Sequence, residues 1–151
     1  MKQLLIILLG FTVGMALTAG VAMTATQHVA RAPAKAPAKA AVTIRHQTRG
    51  CHSWSINGGA SRASLTTTLA RGGTIRFVDN DVMPHKLVKT SGPAVRYLGN
   101  PSMRHMSASV SVTFARAGTY RFTTKAGEDY PGVHVKTIGE DNVLHLVVKV
   151  A

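Results

Sequence analysis

Three short stretches carry the side chains able to hold a metal ion. "RGCHSW", residues 49–54, sets a thiol, an imidazole and an indole together; "DVMPH", residues 81–85, places an imidazole directly after a proline; "NPSMRHMSAS", residues 100–109, holds Met103, His105 and Met106. Thiolate, imidazole and thioether are the soft and borderline donors that transition metals select. Cys51 is the only cysteine and forms no internal disulfide, so its thiol either serves an ion or fills space as a small buried side chain. Cys51 and His52 are adjacent, and adjacent side chains on a regular strand point to opposite faces. Both reach one ion only from a loop or bulge, which Gly50 and the following "NGG" make reasonable. Met83 reads first as a core or rim side chain. His134 lies in a late loop, His145 in the terminal apolar run, His46 in the first strand as a distant candidate, and His28 ahead of the tether.

Other chemistries find little support. Glu128-Asp129 and Glu140-Asp141 each flank a glycine, a pattern that turn formation explains better than acid/base catalysis or calcium. No Ser/His/Asp arrangement, phosphate-binding glycine loop or zinc-type cysteine spacing occurs, so the chain reads as a binding protein and not an enzyme. The net charge of +12 includes charges in the leader and tether. Arg62, Arg71, Arg76, Arg96, Arg116 and Arg121 fall at turns or on alternating strand positions and read as a solvated face. A weaker reading is docking to an acidic partner protein or an anionic membrane. Nucleic acid is disfavoured, because aromatics are too few for a stacking platform.

The elements that must position these donors follow from composition and period. Residues 1–25, an apolar run behind Lys2, read as a signal peptide or an N-terminal membrane anchor. Residues 26–41, with "ARAPAKAPAKA", read as an Ala/Pro/Lys tether. The domain is expected over 42–151, roughly 110 residues, enough for a two-layer core without disulfides. "AVTIRHQ" alternates with period two. "LTTTLARGGTIRFVDN" and "ASVSVTFARAGTYRFTT" each read as strand, turn, strand, "HKLVKT" is a short strand, and "NVLHLVVKV" closes the chain. Short strands with glycine turns and no helical period predict an all-β, antiparallel Greek-key sandwich or barrel.

"GGTIRFVDNDVMPHKLV" followed by "SVTFARAGTYRFTT" resembles the cupredoxin pattern, in which a strand leads to a Pro-His ligand and a later G-T-Y-x-F strand leads to the rest of a copper site. The resemblance covers Thr66 to Thr124 and implies a cupredoxin-like sandwich, copper as cofactor and His85 as a ligand. It then breaks. Thr124 stands where the family carries its cysteine, and "KAGEDYPGVHVKTIGEDN" offers His134 but no thiol or methionine. A normal blue site from that loop is excluded. The sandwich implied by the resemblance brings "RGCHSW" and "DVMPH" near one end, so the expected ligand set is His85, Cys51 and His52, completed by Met83, His134, Met103, Met106 or His105.

Three functions follow from this reading. The first is an exported copper protein, periplasmic or extracellular, that transfers electrons to a redox partner with an acidic surface. The second is a copper carrier or resistance protein with an open ligand set, and the third is a metal-free interaction module on a tether, possessing the fold without the ion.

Overall fold

A computed structural model describes residues 35–151; the leader and the tether up to residue 34 lie outside the described residues. The strands are β1 (Lys39–His46), β2 (His52–Ile56), β3 (Ser64–Leu69), β4 (Thr74–Asn80), β5 (His85–Ser91), β6 (Arg96–Leu98), β7 (Ser102–Met103), β8 (Ser109–Thr113), β9 (Gly118–Ala126) and β10 (His145–Val150). They form two five-stranded sheets, ordered β2-β1-β4-β8-β6 and β3-β10-β9-β5-β7. The all-β sandwich expected from the period-two pattern is the observed architecture, with one refinement. Each sheet contains one parallel pair, β1 with β4 and β3 with β10, among antiparallel neighbours.

The strands flanking the Gly72-Gly73 turn do not form a hairpin, because β3 and β4 belong to different sheets. The same holds for β8 and β9 across Ala117 and Gly118. These turns carry the chain from one layer to the other, so that alternate residues of both strands face a shared core. Ile75 and Phe77 of β4, Val110 and Val112 of β8, and Tyr120 and Phe122 of β9 are all buried by this alternation. Phe114 stacks edge-on against Tyr120 at 4.9 Å and against Phe122 at 6.0 Å, and Phe122 lies 5.7 Å from Phe77. Burying each such ring contributes roughly 1.5–3 kcal/mol, which holds the sheet ends fixed around the site.

The stretch "RGCHSW", expected as a loop, is a tight turn running directly into a strand. Gly50 and Cys51 have φ of 73° and 59°, and β2 starts at His52. A Cβ on Gly50 would sit 2.4 Å from the Asn142 side chain, so glycine is required there for space as well as for backbone conformation. The long β9–β10 connection packs over this turn. Gly50 N–H donates to the Ile138 carbonyl (3.1 Å), Asn142 N–H to the Gly50 carbonyl (3.0 Å), and Asn142 Nδ2 to the His52 carbonyl (2.9 Å). That cover lies over His52 at the start of β2, and further along the strand Trp54 exchanges backbone hydrogen bonds with Arg62 and donates its indole N–H to the Ala63 carbonyl, so that this edge strand is buried from His52 through Ser55.

Candidate metal centre

Strand register gathers the polar residues at one end of the sandwich. On β1 the row Ala40, Val42, Ile44 faces the core, and period two puts His46 on the same face. On β4 the row Ile75, Phe77, Asp79 is buried, and Asp81 beyond the strand end is buried too. The parallel register pairs Arg45 with Asn80, so the next step along both strands brings His46 beside Asp81. The antiparallel register pairs His46 with His52. Two apolar rows thus end in a histidine and two aspartates, with a second histidine alongside.

Asp79 bends the following segment back to bring in His85. Its Oδ1 accepts the Asp81 N–H and its Oδ2 the His85 N–H, both at 3.1 Å. One carboxylate therefore fixes the backbone at both residues. His85 opens β5 in the other sheet, with its ring between two partners: Nε2 lies 3.0 Å from Asp81 Oδ2, and Nδ1 lies 3.3 Å from Thr124 Oγ1. Thr124, at the position where the resemblance puts a cysteine, thus touches the His85 ring.

His52, Asp81 and His85 offer donor atoms that all lie within 4.8 Å of one another, and all three residues are buried. The His52 and His85 rings meet edge to face at 5.0 Å. Asp81 Oδ1 takes the Val82 N–H at 2.6 Å and stands 3.5 Å from His46 Nδ1. His52 Nδ1 and both ring nitrogens of His46 are buried without a hydrogen-bond partner, as is the Tyr130 hydroxyl. An unpartnered buried polar group costs about 1–3 kcal/mol, so nitrogens left unpaired around one carboxylate need a reason. A bound cation supplies one. Two imidazoles and a carboxylate fit copper as a donor set, and in particular Cu(II), which favours nitrogen and oxygen ligands.

Cys51 stands outside this trio. Its Sγ lies 4.0 Å from Met83 Sδ, both residues are buried, and both line an open cavity of about 410 Å³ whose walls include Glu128, Asp129, Thr137 and Asp141. The remaining sequence candidates are placed apart. Met103 is buried in the core on β7, as the register partner of His85. His105 and Met106 are exposed, with His105 Nδ1 against the Met106 carbonyl at 3.0 Å, and His134 is exposed on the long loop. Asp81 escapes sequence reasoning because "DND" reads only as a strand end. Its signal is the continuation of the buried row Ile75, Phe77, Asp79 by one more period.

Burial and charge shift several groups. Burial, followed by Asp141, pushes the Cys51 thiol up to about 11, so it stays protonated near neutrality. Burial, then the neighbouring His85, holds His52 below the usual imidazole range, favouring the neutral ring that metals bind. Burial raises Asp79 to about 6, against the N–H bonds from Asp81 and His85 that favour its carboxylate. The Tyr130 phenol is raised by burial, then by Asp79 and Asp81.

The chain is similar to a reduced Cu(I) form of an amicyanin variant, with 18% identity over 74% of this chain and 82% of that one, and a TM-score of 0.40. It is similar to amicyanin from Paracoccus versutus as well, with 18% identity over 81% and 87% of the two chains and a TM-score of 0.37. No family model matches the sequence. No curated relative matches it either.

Proposed function

We propose that this chain is a copper-binding protein of the cell envelope that captures and hands on the ion, with His52, Asp81 and His85 as its resting ligands. The observation that carries the reading is the buried trio within 4.8 Å, one of whose imidazole nitrogens has no partner. Binding through His85 Nε2 would move that ring's N–H to Nδ1, where it faces Thr124 Oγ1, so a neutral imidazole meets the ion with no net proton loss. Copper, when bound, supplies a centre able to change oxidation state. Asp79 fixes the backbone of two ligands, Thr124 holds the far side of the His85 ring, and the core excludes water behind them.

The trio of nitrogen and oxygen donors favours Cu(II), and the Cys51–Met83 sulfur pair in its acidic cavity favours Cu(I). An ion whose two states prefer different ligands reorganises on each electron exchange, which slows electron transfer and suits pick-up and release. Electron transfer is the second reading, favoured by the place of Cys51 next to His52 in the chain. Titration of the full chain with Cu(II), followed by visible absorption, separates the two. Capture predicts one equivalent bound with only weak visible bands, unchanged in Cys51→Ser and lost in His85→Ala. An intense charge-transfer band that disappears in Cys51→Ser would establish the electron carrier, and full affinity in His85→Ala would refute the centre. Cell fractionation tests the envelope location.

A further inference from the structure

We infer that His46 is a third imidazole of the centre, so that the bound ion is held by His46, His52, Asp81 and His85. The inference rests on the metal-binding reading above and adds to it a ligand and a metal preference.

Three independent pieces of geometry bring His46 to the site. Its side chain is next in the core-facing row after Val42 and Ile44, its antiparallel partner is His52, and its parallel neighbour strand ends at Asn80, one residue before Asp81. Residues directly opposite on an antiparallel pair share a face, so His46 and His52 project side by side. His46 Nδ1 stands 3.5 Å from Asp81 Oδ1, while Oδ2 of the same carboxylate faces His85 at 3.0 Å. Asp81 is therefore flanked by a histidine at each oxygen.

A purely structural His46 would behave differently. A neutral imidazole carries one N–H donor and one acceptor nitrogen, and a histidine kept for stability directs at least the N–H to an acceptor. Here both ring nitrogens are buried without any hydrogen bond, and the Asp81 contact lacks the geometry of one. Valine or leucine would end the apolar row of β1 without that penalty. His46 lies outside the 4.8 Å grouping of the other three, so its ligation requires the ring to turn about the Cα–Cβ bond. Its side chain retains 16% exposure, which leaves room to turn, whereas Asp81 has none.

The resulting set of three imidazoles and one carboxylate takes a divalent, borderline cation: Cu(II) first, then Zn(II), with Cu(I) poorly held because no sulfur belongs to the set.

Pulsed EPR of the full chain loaded with one equivalent of Cu(II) counts the coordinated imidazoles. Three are expected in the native chain and two in His46→Gln, with Cu(II) affinity in chelator competition falling by at least about 10–100-fold, the loss found when even a hydrogen-bond partner of a ligand is removed. His46→Leu should lose the same imidazole while its metal-free form unfolds no more easily than the native chain, which separates ligation from packing. Two imidazoles in the native chain, or an unchanged count in His46→Gln, would overturn the assignment and leave the His52, Asp81, His85 reading intact. Failure of the native chain to bind Cu(II) at all would remove both.

Discussion

Replacing Asp79 by asparagine tests how the segment carrying Asp81 and His85 is held. The carboxylate is fully buried, accepts two backbone N–H groups, and is nonetheless raised from 3.8 to about 6 because burial outweighs those bonds. Between those two values the folded chain binds more protons at this residue than the unfolded chain, so the slope of unfolding free energy with pH is negative. The contribution is fully present below 3.8 and is lost as pH rises through about 6, the reverse of a salt-bridged aspartate. A rise of this size corresponds to about 3 kcal/mol. The asparagine side chain is a neutral amide at every pH, so Asp79→Asn should gain about 3 kcal/mol relative to the native chain between pH 4 and pH 7. At pH 4 the two chains should be about equally stable, because the protonated Asp79 carboxyl and the asparagine amide are both neutral and each presents one carbonyl acceptor to the two backbone donors. Urea denaturation of both metal-free chains across that range gives the difference directly. Parallel stability curves would refute the reasoning by showing that burial does not raise the Asp79 carboxyl.

Two further outcomes follow from the same structure. Cys51, 4% exposed and with its thiol raised to about 11, should react with iodoacetamide at pH 8 about a hundredfold or more slowly in the native metal-free chain than in urea; equal rates would show an accessible thiolate and return Cys51 to the ligand set. Gly92→Ala places a Cβ 2.6 Å from the Thr119 carbonyl oxygen at φ of 98°, and should destabilise by about 2–4 kcal/mol in urea denaturation, a loss under about 1 kcal/mol being evidence that the β5–β6 turn yields.

The sheet layers are legible in the sequence because burial on one face of each strand writes itself as period two, as in Val42, Ile44 or Ile75, Phe77. Pairing is not. The parallel partnership of β1 with β4 joins residues more than thirty positions apart, and no local feature of Gly72-Gly73 says that the chain there changes sheets. The site is half legible for the same reason. His85 and His52 stand out by type and neighbourhood, but what assembles them with Asp81 is register, a long-range property. Cys51 looks equivalent to His52 because the two are adjacent. The left-handed turn at Gly50 and Cys51 separates them, sending the thiol to Met83 and the imidazole to His85. Asp79 and Asp81 pass for strand-end residues, though they prolong an apolar row on its buried face.

The distribution of carboxylates ties the centre to its surroundings. The chain has six acidic residues against eighteen lysines and arginines. Two of the six, Asp79 and Asp81, are buried in the centre, and the other four, Glu128, Asp129, Glu140 and Asp141, are exposed on the β9–β10 connection. That connection is the segment in which the resemblance to cupredoxins leads one to expect ligands, and it supplies none to the trio. What it supplies is backbone cover for the Gly50 turn and, through Glu128, Asp129 and Asp141, an acidic wall to the cavity that holds Cys51 and Met83. A cation approaching a chain this basic meets net repulsion over most of the surface and attraction at this cavity, where low-dielectric walls concentrate the field. The thiol and the thioether line this cavity and the side chains of His52, Asp81 and His85 do not, a separation that follows from where one glycine turn directs two adjacent side chains.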